Sequence, residues 1–157
     1  MIKYVPSMTS IVMEEIPGKV TLAISISNCR GNCPGCHSPE LRKDIGVPLT
    51  ANVIDDLLDK NFGVNCVLFL GEGDDIDTLL DLAAHIKYMA VALYSGRGEV
   101  DPRCYWVFDY IKVGPYVEKL GPLNKPTTNQ RLYEIVRTGN GKKGKYEKKD
   151  ITSKFWP

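Results

Sequence analysis

Asn65-Cys-Val-Leu-Phe-Leu70, stopped by Gly71-Glu72-Gly73-Asp74, is the stretch on which the fold turns. It is a short unbroken apolar run ended by glycines, the pattern of a strand buried on both faces. On its N-terminal side Thr50 offers an N-cap to a helix running to Lys60, with Val53, Ile54, Leu57 and Leu58 on one face. On its C-terminal side helical spacing returns from Asp75 to Lys87 through Ile76, Leu79, Leu80 and Ala83. A third strand, Met89-Ala-Val-Ala-Leu-Tyr94, ends at Ser95-Gly96. Upstream, Val20-Thr-Leu-Ala-Ile-Ser-Ile-Ser27 alternates as a strand, and downstream Trp106-Val-Phe-Asp-Tyr-Ile-Lys112 predicts another, ended by Gly114-Pro115. Strands alternating with helices imply parallel pairing and right-handed crossovers, which is the α/β class. A complete eight-unit barrel takes about 250 residues. The 157 residues here therefore predict a partial, open β/α barrel with a mostly parallel sheet.

Apolar residues make up 43% and charged residues 25%, an ordinary globular mixture, so one compact domain is expected. No segment approaches the roughly 20 unbroken apolar residues of a membrane crossing, and the N-terminus lacks the pattern of a secretory signal. A soluble, cytoplasmic protein is the expectation. The net charge of +1 predicts neither nucleic-acid nor membrane binding by the whole molecule. The charge is uneven, however. Residues 138–157 hold six lysines against Glu147 and Asp150, a net +4, which leaves −3 on residues 1–137. We therefore read 1–137 as the domain and 138–157 as a basic tail, docked on the domain or on a partner through Phe155 and Trp156. From Leu120 onward Gly, Pro, Asn and Lys dominate, apart from Gln130-Arg-Leu-Tyr-Glu-Ile-Val136, which predicts an edge strand.

Five cysteines, with three inside eight residues, suit reduced thiols better than a disulfide framework. The cluster reads Asn28-Cys29-Arg30-Gly31-Asn32-Cys33-Pro34-Gly35-Cys36-His37. Three thiolates can converge from one such loop, and Gly31, Pro34 and Gly35 allow its tight backbone. A closed zinc site or an electron-transfer cluster takes four protein ligands. A 4Fe-4S cluster held by Cys29, Cys33 and Cys36 alone keeps one iron open for another molecule. A non-catalytic iron–sulfur or zinc module, completed by Cys66, Cys104 or His37, is the rival reading.

The spacing of Cys29, Cys33 and Cys36 resembles the signature of the radical S-adenosylmethionine superfamily. That resemblance implies a fold of the radical SAM barrel type and S-adenosyl-L-methionine chelated to the open iron. It also implies reductive cleavage to methionine and a 5′-deoxyadenosyl radical. Gly35, Cys36 and His37 would lie against the cosubstrate; the His37 ring fits either an approach to the adenine or an ordinary loop position. The Gly71-Glu72-Gly73-Asp74 turn stands where the superfamily meets the methionine amino end, although Glu72 interrupts the usual pair of adjacent glycines. Gly71 is assigned a backbone role there, and either Glu72 or Asp74 a side-chain one. Asp109 and Lys112, read as lying near the C-terminal end of the fourth strand, are assigned to the cosubstrate as well.

Three further stretches narrow the resemblance: Asp109-Tyr-Ile-Lys-Val-Gly-Pro-Tyr116, Thr127-Thr-Asn-Gln-Arg131 and Ile151-Thr-Ser-Lys-Phe-Trp156. Together with the cysteine loop they are similar, in order and separation, to the activating enzymes of anaerobic ribonucleotide reductases. The resemblance implies a protein substrate, the large reductase subunit, from whose glycine a hydrogen atom is taken to leave a glycyl radical. It also implies an electron donor such as flavodoxin. A small radical enzyme acting on a small molecule is the alternative within the same chemistry. For Asn129, Gln130 and Arg131 a local hydrogen-bonding role is expected, for Cys66 that of a small buried apolar residue.

Overall fold

The computed structural model describes residues 1–28, 39–139 and 144–157. The strands are β1 (Lys3–Tyr4), β2 (Ser10–Val12), β3 (Thr21–Ser25), β4 (Val47–Pro48), β5 (Cys66–Leu70), β6 (Ala90–Tyr94), β7 (Tyr110–Val113), β8 (Arg131–Thr138) and β9 (Lys145–Asp150). The helices are α1 (Ala51–Lys60) and α2 (Ile76–His85). Each starts where its sequence carries an acceptor for the first free N–H groups. The Thr50 hydroxyl takes the Val53 N–H at 3.3 Å, and the Asp75 carboxylate takes the Thr78 N–H at 3.2 Å.

Among the described residues seven strands form one sheet in the order β2-β3-β5-β6-β7-β8-β9, while β1 and β4 make a separate antiparallel pair. The core β3-β5-β6-β7 is parallel, and the pairings β2-β3, β7-β8 and β8-β9 are antiparallel. This corrects the expected partial β/α barrel with a mostly parallel sheet: among the described residues the protein is a mixed α/β structure built on a mixed sheet with two helices. The alternation stops after α2. Between β6 and β7 the chain crosses by a 3₁₀ turn, Pro102–Trp106, instead of a helix. Asp101 starts this turn by accepting the Arg103 N–H, and Pro102 sits at its first position, where its missing N–H costs nothing. The turn takes Trp106 out of the expected strand, which begins only at Tyr110. After β7 the remaining strands return antiparallel. The expected edge strand, β8, is internal, and the edge is the lysine-rich β9.

Alternation along the strands divides the core between two faces. Leu22, Ile24, Val67, Phe69, Val91, Leu93 and Ile111 pack with Ile54 of α1 and with Leu79, Leu80, Leu82 and Ala83 of α2. Each fully buried aliphatic side chain of this kind contributes about 1.5–3 kcal/mol. Phe69 and Phe108 meet edge to face at 6.1 Å. On the opposite face Ala23, Leu68, Ala92, Tyr110 and Leu132 pack with Ile16, Leu123, Ile151 and Phe155. Trp156 is tied down as well, its indole N–H donating to the Leu123 carbonyl at 3.1 Å.

Candidate functional site

The register of the parallel core aligns its C-terminal ends. Ser25 stands opposite Leu70, Leu70 opposite Tyr94, and Tyr94 opposite Lys112. Strand alternation puts these four side chains in one row on the face away from the helices. The N-terminal segment lies across that row. The Ser25 hydroxyl donates to the Met8 carbonyl at 2.6 Å, and the Tyr94 hydroxyl donates to the Glu15 carbonyl. Burial, and then the Glu15 carboxylate, push the Tyr94 hydroxyl well above its ordinary value, so it stays a neutral donor. The Lys112 ammonium lies 5.3 Å from the Tyr94 ring centroid.

The loops that leave these ends are the candidate site. From β3 the chain passes through Asn28, in the left-handed region at φ 60°, and enters 29–38. Cys29, Cys33, Gly35, Cys36 and His37 lie outside the described residues. Both sides of that loop are anchored: the Asn28 N–H donates to the Lys43 carbonyl at 3.1 Å. The Asn28 side chain and the Lys3 ammonium both donate to Asp44, at 3.2 and 2.8 Å, and these contacts, Lys3 first, lower the Asp44 pKa.

The Gly71 turn adjoins the start of the loop. Ile26 donates its N–H to the Leu70 carbonyl, and a Cβ on Gly71 would stand 3.5 Å from the Ile26 carbonyl oxygen. Gly71 adopts φ 109°, a conformation that glycine alone reaches without strain. Glu72 points back toward the sheet, with its side chain 11% exposed. It accepts from the Ser95 hydroxyl at 3.1 Å and from the Arg97 guanidinium at 3.2 Å. Glu72, Gly73, Asp74, Asp75, Ile76, Arg97 and Asp101 line a cleft of ≈ 380 Å³. Ser95 and Arg97 escaped the sequence reading. Their signal was a polar Ser-Gly-Arg run directly after a buried parallel strand, where an α/β sheet presents its binding groups.

Asp109 is not part of this constellation. It precedes β7 and sits at the N-terminal end of the sheet, because the 3₁₀ turn shortens the strand from the front. There its carboxylate accepts from the Val91 N–H at 2.9 Å and from Arg137 at 3.1 Å. Its expected place near the C-terminal end of the fourth strand is thereby corrected. Lys112 does lie at the C-terminal end, beside Tyr94. Asn129 and Gln130 fold back on the turn after β7, donating to the Pro115 and Gly114 carbonyls at 3.1 and 3.4 Å.

Cys66 and Cys104 are both fully buried free thiols. Cys66 begins β5 and pairs with Thr21, at the end of β3 opposite the loop. Four residue-to-residue steps along the strand separate it from Leu70, about 13 Å at the usual rise. Desolvation raises its pKa to about 11 and that of Cys104 to about 12, so both remain protonated. Among the described residues no group of His, Cys, Asp and Glu is arranged to hold a metal ion.

Among the described residues no helix is long and apolar enough to cross a membrane. Compared with known proteins, the chain matches no family model, no curated protein and no solved structure.

Proposed function

We propose that this chain is a radical S-adenosylmethionine enzyme that installs the glycyl radical of an anaerobic ribonucleotide reductase. One observation carries the proposal: the Cys29, Cys33, Cys36 spacing follows directly on a buried strand of the parallel core, next in the sheet to the strand that ends in the Gly71 turn. The three thiolates hold a 4Fe-4S cluster and leave one iron for the amino and carboxylate groups of S-adenosyl-L-methionine. When bound, cluster and cosubstrate supply a one-electron reductive cleavage that ends in hydrogen-atom abstraction from a glycine Cα.

The described residues fit such a group. Gly71 has no Cβ and a backbone beside Ile26, which suits close approach of a small polar ligand to the main chain. Glu72 is held by Ser95 and Arg97 as a preset acceptor at the edge of the cleft, suited to an ammonium. The reductase is favoured as the target by the resemblance of 109–116, 127–131 and 151–156 to the activating enzymes. A flavodoxin-type donor supplies the electron.

Anaerobic reconstitution followed by electron paramagnetic resonance tests the proposal. The reduced cluster should change its spectrum when S-adenosyl-L-methionine is added. Addition of the large reductase subunit should then give a glycyl-radical doublet. A metal centre with four protein ligands and no response to the sulfonium would sink it.

A further inference from the structure

We propose that β9 is a docking edge which receives an extended, carboxylate-bearing segment of the reductase subunit as an eighth strand. The identity of the partner rests on the activase reading above; the edge itself rests on geometry. Among the described residues no strand lies beyond β9. The hydrogen-bond phase of the sheet is fixed by two bonds, Ile151 N–H to the Leu132 carbonyl and Ile135 N–H to the Asp109 carbonyl. Antiparallel pairs alternate between bonded and non-bonded positions. With β9 in register from Thr138↔Lys145 to Tyr133↔Asp150, the residues Lys145, Glu147 and Lys149 therefore bond inward to β8. Tyr146, Lys148 and Asp150 turn their N–H and C=O groups outward.

The edge is also held in place. Tyr146 stacks on Tyr105 at 5.1 Å and meets Trp106 edge to face at 5.1 Å. The Lys148 ammonium lies over the Tyr105 and Tyr133 rings at 5.1 and 5.3 Å. These contacts fix the face of β9 that looks toward the 3₁₀ crossover and leave its edge presented without further ordering, which lowers the cost of adding a strand.

Charge selects the occupant. β9 holds Lys145, Lys148 and Lys149 against Glu147 and Asp150, a net +1. Lysines on an edge strand discourage a second like-charged strand. A second copy of this chain would bring two such edges together, whereas a strand with Asp or Glu opposite Lys145 and Lys149 gains cross-strand pairs on top of the main-chain ladder.

The test uses the full chain, reconstituted without oxygen, and measures affinity for the large reductase subunit. Lys148→Pro deletes an outward N–H and leaves the inward bonds of Glu147 and Lys149; proline is tolerated at such edge positions. Its affinity should fall about tenfold, the effect of one lost interfacial hydrogen bond. Lys148→Ala keeps the N–H and should bind within about threefold of wild type, since an exposed charge contributes little. The double variant Lys145→Glu/Lys149→Glu should bind more weakly and with a smaller salt dependence, and it decides the matter if the proline variant misfolds. Iron content and cleavage of S-adenosyl-L-methionine without reductase should be unchanged throughout. Unaltered affinity in both the proline and the charge-reversed variants overturns the proposal. So does a proline-sensitive dimer of this chain with reductase binding intact. The glycyl radical at saturating reductase is read separately: its absence in wild type removes the activase reading, while its presence beside unaltered affinity in both variants removes only the edge.

Discussion

Arg137 of β8 reaches Asp109 at 3.1 Å while its other guanidinium nitrogens donate to the Tyr105 and Phe108 carbonyls at 3.1 and 2.6 Å. Asp109 in turn exchanges two bonds with Val91, giving its own N–H to the Val91 carbonyl and accepting the Val91 N–H on its carboxylate. Together these contacts join β6, the 3₁₀ crossover and β8 at the N-terminal end of the sheet. Arg137→Ala leaves two carbonyls and a carboxylate short of a donor, and Asp109→Ala leaves the Val91 N–H without its carboxylate acceptor. Each should cost about 2 kcal/mol, the range for hydrogen bonds to charged groups. Denaturant midpoints should fall accordingly; under the proposed function, the affinity of the folded variants for S-adenosyl-L-methionine should not change.

The two buried thiols separate the open-iron reading from a four-ligand module. Cys66→Ala and Cys104→Ala, singly or combined, should bind as much iron per chain as the wild type. Each should lose about 1 kcal/mol of stability from the missing sulfur contacts. In the native protein neither thiol should react with a neutral-pH alkylating reagent. Loss of iron on either substitution would restore the module with four protein ligands.

The parallel core was legible because it obeys the simplest rule. Cys66–Leu70 is apolar at every position, as burial on both faces demands, and Thr50 and Asp75 cap the helices that their types predict. Asp109 was misplaced because Trp106-Val-Phe has the composition of a strand. What overrides it is the Asp101-Pro102 start of a 3₁₀ turn, a local hydrogen-bond preference that hydrophobic period does not register. β9 was illegible for another reason: Lys-Tyr-Glu-Lys-Lys-Asp has one apolar side chain, and only pairing with β8 makes it a strand. At the site, Gly71 and Glu72 could be read from a glycine turn after a strand. Ser95 and Arg97 could not be joined to Glu72 without knowing that β5 and β6 are neighbours.

Gly46 is a harsher test of backbone geometry than any glycine of the site. It adopts φ 90°, and a Cβ there would stand 2.1 Å from the Tyr4 carbonyl oxygen and 2.8 Å from its carbon. Neither backbone atom can yield cheaply, since Tyr4 pairs with Val47 next to it. Gly46→Ala should open the β1-β4 pair and cost more than about 2 kcal/mol, beyond the usual left-handed penalty. Because Asp44, two residues earlier, ties Lys3 to Asn28, amide exchange should rise at Asn28 as well.

Asp101 gives the acid dependence a sign. Its carboxylate takes the Arg103 side chain and then the Arg103 N–H, which lower its pKa to about 2. A carboxyl more acidic folded than unfolded stabilises the fold above its unfolded pKa of about 3.9 and loses that contribution as pH falls through the folded value. The stability gap between wild type and Asp101→Asn should thus be constant above about pH 5. It should shrink below about pH 4 and close only below the folded value, by about pH 1. A gap that persists at about pH 1 would mean that the cap works through shape, without its charge.

Glu72 links stability and chemistry in one substitution. Glu72→Gln keeps the size of the side chain and its acceptor for Ser95, and the Arg97 partner is 63% exposed, so water can take over the lost pairing. The stability change should stay under about 1 kcal/mol. Under the proposed function the same substitution removes the charge that meets the ammonium of S-adenosyl-L-methionine, and a charge-assisted hydrogen bond is worth about 1.5–3 kcal/mol. Affinity for the cosubstrate should therefore drop at least about tenfold at unchanged iron content. Asp74→Asn, on the same cleft but with its neighbour's contacts intact, should bind within about threefold of wild type. If Asp74→Asn and not Glu72→Gln weakens binding, the ammonium belongs to Asp74, and the Ser95 and Arg97 contacts merely hold the β5 and β6 loops together.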